Sequence, residues 1–581
     1  MENKDNDVEK RLEERKEKIK NWLKDPYNLI LAIIIIGAFA LRLYFLLQTN
    51  DQTLWWDEAE YMSTAKHWAF SVPYDLNPQR PPLFQLISAL FLFLGFQEFM
   101  LKFFLVALPS TALVYLTYVL GKELYDKKTG LFAAAAAIAM WSFLFWSSRF
   151  QPDFLSLSFQ LLSLTFFWKL FKEPNKKYAT LAGVFAALAF YFKISSLLVP
   201  LSVFIFVLFK DGLSFIKNKL YWRSFLAFVL SLIPFMLWQY SLFGNPVAFA
   251  LSYGLEGGSA ERSFGWMTLN FFYQFPKLLL FILFLIGAAT ALWRIGLTYD
   301  LIKKEKNRRL DSDIFSFTVL FAAAVFYIFY IQGFIEDRWV FLIVPFVFYF
   351  SSKGLFKILS IVKFDIKGAK TFVVLIIFAL FFFVQLNHAG TLIESKIPSY
   401  APVKDSALWI KSHSEAADKV VSASYTQMTS YSERRTYAFS WYKNESDFTE
   451  FLKKEKPKYL MFSIWEASNH PSWAFQYGQQ NGVTIIAMPY LNSSIFANQQ
   501  GQADLSNFKA LVERDGMRFR LVYPEVETQL SGLAFVYEVL YPEDFVKVNT
   551  PNNLSDLLVF GNFDNAPISN KSENPVKNTT F

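Results

Sequence analysis

Two short segments early in the chain combine carboxylates or a guanidinium with aromatic and proline neighbours. Asp57 and Glu58 follow Trp55-Trp56, and Arg80 precedes Pro81-Pro82. A carboxylate close to a membrane surface can act as a general base, and a guanidinium aimed by stiff prolines can bind a phosphate. The structural alternatives are an interfacial helix with Asp57 as its N-cap and a snorkelling arginine at the start of a helix.

More charges stand at the predicted ends of apolar segments. They are Arg149, Asp153, Lys193, Glu336, Asp337 and Arg338. Arg42 lies inside an otherwise apolar helix, where a charge is costly and functional by default. Taken singly, each of these charged residues is explained more simply by a structural role. Together they offer the carboxylates and cations that a phosphate-bearing lipid and an activated hydroxyl need.

The elements that position these residues are long apolar blocks. Of 581 residues, 54% are hydrophobic and only 18% are charged. The blocks are about 18–22 residues long, which is the length that crosses a bilayer core. The net charge of +8 comes largely from short loops between blocks. That pattern indicates membrane orientation rather than nucleic-acid binding. There is no cysteine, which excludes disulfides and thiolate metal sites.

The fold class predicted is a polytopic α-helical membrane protein with eleven spans. The spans are 29–47, 101–120, 131–146, 154–171, 178–192, 196–209, 222–242, 276–293, 314–331, 339–350 and 371–386. The apolar stretch 83–94 is too short to cross and is interpreted as juxtamembrane or re-entrant. With this choice, every loop rich in Lys and Arg falls on the cytoplasmic side together with the N-terminus. The charged candidates then share the outer face.

The predicted domain organisation has four parts. Residues 1–28 form a basic cytoplasmic N-terminus, and 29–388 form the transmembrane catalytic domain with its first outer loop at 48–100. Residues 389–548 alternate β-like runs, at 419–423, 459–464, 483–488 and 534–539, with helical stretches at 405–411 and 447–454. This alternation predicts an extracytoplasmic α/β domain. The polar tail, 549–581, is predicted to be disordered.

The order of these motifs resembles the GT-C superfamily of membrane glycosyltransferases. An Asp-Glu pair follows the first span, then come basic-Pro-Pro-Leu, Arg-x-x-x-Asp, and an acidic-Arg-aromatic triplet opening a late span. The most similar group is that of dolichyl-phosphate-mannose protein mannosyltransferases and lipid A aminoarabinose transferases, over about residues 29–350.

The resemblance implies roles for individual residues. Asp57 corresponds to the carboxylate that activates the acceptor, and Glu58 to its supporting neighbour. Arg80 stands where the family often has Lys or His, at the lipid phosphate, which Arg338 also contacts.

Other positions follow the same pattern. Asp153 corresponds to the second outer aspartate, and Arg149 to the basic residue before it. Arg42 and Lys193 are further candidates for binding the donor, and Glu336 and Asp337 for supporting it. Lys102 replaces the usual Arg and Trp339 the usual Tyr, which leaves the sugar open.

The implied reaction moves a sugar from a polyprenyl-phosphate donor to a hydroxyl of a protein, lipid or glycan, with inversion and with Asp57 as general base. No cofactor is expected. Some superfamily members need a divalent metal, which Asp57 and Asp153 could hold, although this group generally requires none.

Two other classes compete with the transferase. A lipid flippase or transporter would show inverted repeats and charges near the bilayer midplane. A non-catalytic surface assembly protein would use its outer domain for binding.

Overall fold

The computed structural model describes residues 24–256, 277–298, 308–330, 336–362, 368–466, 469–480, 482–497, 503–504, 506–523 and 534–547, with a few positions before Lys24. The predicted disordered tail, 549–581, lies outside these residues. The chain divides into two compact units. The first comprises Met1–Asn50, Asn77–Phe84 and Gln97–Lys396, and the second Asp51–Leu76, Gln85–Phe96 and Ile397–Phe581.

The helices are numbered here in chain order. They are α1 Pro26–Gln48, α2 Trp56–Phe70, α3 Leu83–Phe93, α4 Glu98–Leu124, α5 Lys127–Ala139, α6 Trp141–Ser147, α7 Asp153–Lys172, α8 Lys176–Phe192, α9 Ile194–Lys217, α10 Lys219–Phe243, α11 Ala248–Glu256, α12 Lys277–Leu297, α13 Arg308–Tyr330, α14 Asp337–Ile361, α15 Ala369–Lys396, α16 Ala401–Ser412, α17 Tyr425–Ser432 and α18 Glu445–Glu455.

The first unit is a bundle of apolar helices. Within the described residues, eight helices are long and apolar enough to cross a membrane, or nine if α5 and α6, bent by 56°, form one broken span. The helices α8 and α13 occupy the two remaining predicted spans. The described part of each predicted span is helical apart from the break at Met140 between α5 and α6, and the chain is a multi-pass membrane protein. The helix α3 has 11 residues, a rise of about 16 Å, or half of a bilayer core.

Close helix crossings in this unit depend on small residues. At Gly287 of α12 and Gly354 of α14, an added β-carbon would overlap the backbone of the facing helix. Small residues let helices approach closely in membranes, where apolar side chains gain little by leaving the lipid. These glycines bring α12 against the second half of α14, the helix that begins with Asp337 and Arg338.

The second unit contains two β-sheets. The strands are β1 Lys419–Ser422, β2 Arg435–Tyr437, β3 Tyr459–Ser463, β4 Gln476–Gln480, β5 Val483–Met488, β6 Ser493–Ala497, β7 Ala503–Asp504, β8 Leu511–Arg514, β9 Met517–Tyr523 and β10 Ala534–Leu540. One sheet has the order β2-β1-β3-β10-β9-β8, and the other β4-β5-β6-β7. The four β-like runs predicted from the sequence are all strands, so the α/β class is confirmed.

The order of the larger sheet determines which residues meet. Strands β1, β2 and β3 run parallel, whereas β10, β9 and β8 are antiparallel. The burial of β9 alternates along its length because its two faces differ in environment. Parallel strands end at the same edge of a sheet, so the segments after β1 and β3 lie side by side. Tyr425 opens α17 shortly after β1, and Glu466 follows β3.

Candidate functional site

Asp57 lies in the first turn of α2, in the second unit. The backbone N–H of Trp55 donates to Oε2 of Glu58 at 3.0 Å, and Glu58 is fully buried. Glu58 therefore closes the start of the helix, and the alternative that Asp57 is its N-cap is wrong. The Asp57 side chain is partly buried.

The start of α2 packs against the segment that follows β1. The ring of Trp56 lies 5.0 Å from the ring of Tyr425, centroid to centroid. Ser63 of α2 donates to the carbonyl of Thr426 at 3.1 Å, which ties the two helices together. Glu466 follows β3, the parallel neighbour of β1. No sequence motif singles out Glu466.

The Glu466 carboxylate has two hydrogen-bond donors. The hydroxyl of Tyr400 donates to Oε1 at 2.5 Å, and Nδ2 of Asn469 donates to Oε2 at 2.8 Å. Burial raises the pKa of Glu466, the Tyr400 hydrogen bond lowers it, and the charge of Asp57 raises it, with a net upward shift. A buried carboxylate with a displaced pKa is a candidate functional residue.

Charged residues also gather in the first unit, at the ends of α7, α8 and α14. Asp153 begins α7, and its carboxylate pairs with Nζ of Lys193, which caps α8. Lys193 also interacts electrostatically with Arg338 and Glu336. These four residues come from three distant parts of the sequence. Packing of the helices brings them together.

Trp146 organises the start of α14. Its Nε1 donates to Asp337 at 2.9 Å, and Ser142 donates to the same carboxylate. The guanidinium of Arg338 lies 4.8 Å from the ring centroid of Trp146, and it also pairs with Glu336. A cation over an indole face is held in orientation without losing its charge.

A small pocket opens between these groups. Its lining includes Asp153, Gln160, Lys193, Ser195 and Arg338. The pocket is small, about 10 Å³, and is lined by two cations and the Asp153 carboxylate. The two cations can donate charge-assisted hydrogen bonds to an anionic group such as a phosphate. The structure thus brings together three of the residues predicted from the sequence.

An apolar groove of about 450 Å³ lies along the same helices. On α7, the pocket residues Asp153 and Gln160 and the groove residues Ser163 and Phe167 follow one another at spacings of three, four or seven residues. Such spacing places them on a single helix face. The stretch from Asp153 to Phe167 rises about 21 Å. The polar pocket and the apolar groove are therefore parts of one stripe.

Arg42 has a different environment. It is fully buried, and its guanidinium donates to Oγ of Ser110 at 2.7 Å and to the carbonyls of Ala38, Ala137 and Ile138 at 3.1 to 3.3 Å. Ala137 and Ile138 lie in the last turn of α5, whose carbonyls have lost their helical donors because the span breaks after Ala139. Arg42 satisfies this helix end, so a structural role accounts for its charge.

Arg80 and Arg149 do not line the pocket described above. Arg80 ends a turn whose Pro78 carbonyl accepts a hydrogen bond from Gln239 of α10 at 3.1 Å. Arg149 is 1% exposed, next to Phe150, whose ring lies 4.8 Å from that of Phe84. Both segments are fixed by packing within the first unit. Their predicted roles stay predictions.

A metal site needs several His, Asp or Glu ligands close together. In the described parts of the chain, no three His, Asp or Glu side chains lie close enough together to hold a metal ion. The possible sharing of a metal by Asp57 and Asp153 stays a prediction.

Comparisons with known proteins agree with this architecture. Residues 79–238 match the family described as dolichyl-phosphate-mannose-protein mannosyltransferase. No curated protein sequence matches the chain. Among solved structures, the oligosaccharyltransferase of Archaeoglobus fulgidus in its apo form is similar, with a TM-score of 0.56 and 13% identity over 84% of this chain and 75% of that one.

A second solved structure covers almost all of its own length. ArnT from Cupriavidus metallidurans in the apo state is similar with a TM-score of 0.52 and 12% identity, over 77% of this chain and 94% of that one. The same enzyme bound to undecaprenyl phosphate gives a TM-score of 0.51 and 11% identity, over 78% and 96%. The resemblance to the GT-C superfamily of membrane glycosyltransferases that the motifs indicated is therefore confirmed, and the chain has the GT-C fold.

Proposed function

We propose that the chain transfers a sugar from a polyprenyl-phosphate donor to an acceptor hydroxyl. The observation that carries the proposal is that one face of α7 lines both a pocket with two cations and, further along the helix, a separate apolar groove. A polyprenyl phosphate has the same two parts, an anionic head and a long apolar chain. Binding of undecaprenyl phosphate by ArnT and of dolichol-phosphate by the Archaeoglobus oligosaccharyltransferase supports this class of ligand.

The donor's phosphate is assigned to Lys193 and Arg338. Each has a carboxylate partner, Asp153 and Glu336 respectively, which holds it in place. The four charges sum to zero, so a bound phosphate would share the two cations with these carboxylates. The departing lipid phosphate is already a good leaving group, so it needs charge stabilisation more than protonation. The two fixed cations supply that stabilisation.

Asp57 is assigned as the general base. The acceptor O–H loses its proton to the Asp57 carboxylate as the oxygen attacks the anomeric carbon. The bond from that carbon to the phosphate oxygen breaks, and the polyprenyl phosphate leaves with the electron pair. A single displacement of this kind inverts the anomeric configuration. The active surface is assigned to the outer side of the membrane and the N-terminus to the cytoplasm, as the distribution of basic loops predicts.

The experiment uses the full chain in lipid nanodiscs with radiolabelled dolichyl-phosphate mannose as donor and a cell-envelope extract as acceptor. Asp57→Asn should lower transfer by about 100-fold or more, because general-base catalysis contributes on the order of 10²–10⁴. Asp51→Asn, an exposed carboxylate six residues earlier in the same loop, is the matched control. Transfer by Asp57→Asn at the wild-type rate would remove Asp57 from the mechanism.

A second arm tests the donor pocket through binding of undecaprenyl phosphate. Arg338→Gln should weaken binding about tenfold or more, since a hydrogen bond to a charged group is worth about 1.5–3 kcal/mol. Arg223→Gln removes an exposed guanidinium on α10 and should leave affinity unchanged. Translocation of the lipid across vesicles without sugar transfer would favour the flippase instead.

A further inference from the structure

Six aromatic side chains form a continuous series of ring contacts in the second unit. The centroids of neighbouring rings in the series are 4.5 to 6.0 Å apart. The six residues, here called the aromatic strip, are in order Trp56, Tyr425, Trp441, Tyr437, Phe451 and Tyr442. Every one of them reaches the surface: five are partly buried, and Trp441 is 46% exposed. The strip begins at Trp56, which immediately precedes Asp57 in the first turn of α2.

The strip follows one edge of the larger sheet. The edge strand β2 ends at Tyr437, and Trp441 closes the short helical turn that follows it. Phe451 lies on α18, which packs on the core through the buried side chains of Phe448 and Leu452. Tyr437 and Phe451 also pack against that core, so folding accounts for part of the strip.

Folding does not account for Trp441. In the described part of residues 397–547, it is the only Phe, Tyr or Trp side chain with so large an exposed fraction. A single exposed apolar residue needs no explanation. This indole, however, contacts the partly exposed rings of Tyr425 and Tyr437, so the exposed aromatic surface is contiguous. Contiguous surface of this kind is typical of a binding site.

The charged residues that border the strip are paired with each other. The guanidinium carbon of Arg435 lies 5.4 Å from the ring centroid of Tyr437. Its two terminal nitrogens donate to the two carboxylate oxygens of Asp75 at 2.9 and 2.6 Å. This pair carries no net charge, and its carboxylate is largely exposed, with a side chain that is 71% accessible. The border therefore offers hydrogen-bond donors and acceptors without an excess of positive charge.

These features match a neutral saccharide. A sugar ring presents C–H groups on its faces, which pack against the electron-rich face of an aromatic ring. Its hydroxyls both donate and accept hydrogen bonds, so they can use a guanidinium and a carboxylate at the border. An anionic membrane surface would instead be matched by an excess of Lys and Arg. A row of rings, rather than one enclosed pocket, suits a chain of several sugars.

We propose that the aromatic strip binds a neutral oligosaccharide, and that this oligosaccharide is the acceptor. The proposal rests on the sugar transfer proposed above and names its acceptor class. Because the strip begins at Trp56, an oligosaccharide lying along it has one end at the first turn of α2, which carries Asp57. A hydroxyl at that end loses its proton to Asp57 as its oxygen bonds to the anomeric carbon. The polyprenyl phosphate leaves with the electron pair, as in the mechanism already given.

The binding test uses the full chain in lipid nanodiscs, without donor, and isothermal titration calorimetry with mannotetraose, maltotetraose, cellotetraose and N-acetylchitotetraose. Trp441→Ala should weaken binding of the tightest of these about two- to tenfold, the value of one stacked aromatic contact. Trp441→Phe keeps a ring and should restore most of the affinity. Leu511→Ala is the matched control, because it removes an exposed apolar side chain from β8, the opposite edge strand of the same sheet. Absence of binding to all four saccharides, or equal affinity in Trp441→Ala, would overturn the inference.

A kinetic arm separates this inference from the proposed function. With dolichyl-phosphate mannose as donor and the tightest-binding tetrasaccharide as acceptor, Trp441→Ala should raise KM for the acceptor by the same factor, with kcat and KM for the donor unchanged. A raised KM for a protein acceptor but not for the tetrasaccharide would assign the strip to a polypeptide and overturn the inference. If the wild type binds the saccharide through Trp441 but transfers no sugar, the proposed function fails and the saccharide site stands.

Discussion

Arg42→Met tests whether the buried arginine holds the broken span or binds the donor. The guanidinium makes four hydrogen bonds, and two of them go to the carbonyls of Ala137 and Ile138 at the end of α5. Leaving a buried acceptor unsatisfied costs about 1–3 kcal/mol, so two of them cost about 2–6 kcal/mol. Removing a buried charge offsets part of this cost. We expect a net loss of about 2–4 kcal/mol in the free energy of unfolding.

The assay measures unfolding in detergent micelles by tryptophan fluorescence, together with the affinity for undecaprenyl phosphate. Arg223→Met, which removes an exposed guanidinium, is the control and should change neither quantity. Arg42→Met should lower the unfolding free energy while the folded fraction keeps its affinity within about twofold. A variant of normal stability that binds the lipid phosphate at least tenfold more weakly would refute the structural role and restore the donor-binding role.

Three further outcomes are expected. Val203→Trp should fill the apolar groove and weaken binding of undecaprenyl phosphate but not of the shorter farnesyl phosphate; Leu201→Trp, on the exposed side of the same helix, is the control. Glu466→Gln should stabilise the protein near pH 7. Because the pKa of Glu466 is raised in the folded state, its ionisation costs the folded state free energy, and the substitution removes that cost. The stabilisation should vanish as the pH falls below the pKa that Glu466 has in the unfolded chain. Tyr400→Phe should raise the pH at which the infrared band of the protonated Glu466 carboxyl titrates, because it removes the hydroxyl that stabilises the carboxylate. An unchanged midpoint would show that this hydrogen bond does not influence the pKa of Glu466.

The helices and strands follow from local sequence. An apolar block of sufficient length has few alternatives to a spanning helix in lipid, because every backbone group must be hydrogen-bonded within the segment. For this reason the described part of each predicted span is helical, apart from Met140 in the span 131–146, and 83–94 is recognisable as too short. The break between α5 and α6 was not predicted, since their combined sequence is as apolar as a continuous span.

The site depended on contacts that no local pattern records. Asp57 and Glu58 are adjacent in sequence, yet it is Glu58 that accepts a hydrogen bond from the backbone N–H of Trp55 and closes the start of α2. If the predicted runs 419–423 and 459–464 were known to be parallel neighbours, Glu466 would have been a candidate. Their pairing is a long-range contact, which the local sequence of either run does not record.

Local sequence is enough to establish the membrane class, the α/β character of the second unit and the set of charged residues worth testing, because apolar length and period act over a few turns or strands. Which of these charges meet depends on long-range packing. Asp153, Lys193 and Arg338 share a pocket because α7, α8 and α14 pack together, and Glu466 follows a strand that is the parallel neighbour of β1. The structural role of Arg42 follows from the break between α5 and α6. The carbonyls that accept its hydrogen bonds, those of Ala137 and Ile138, belong to α5 and not to its own helix.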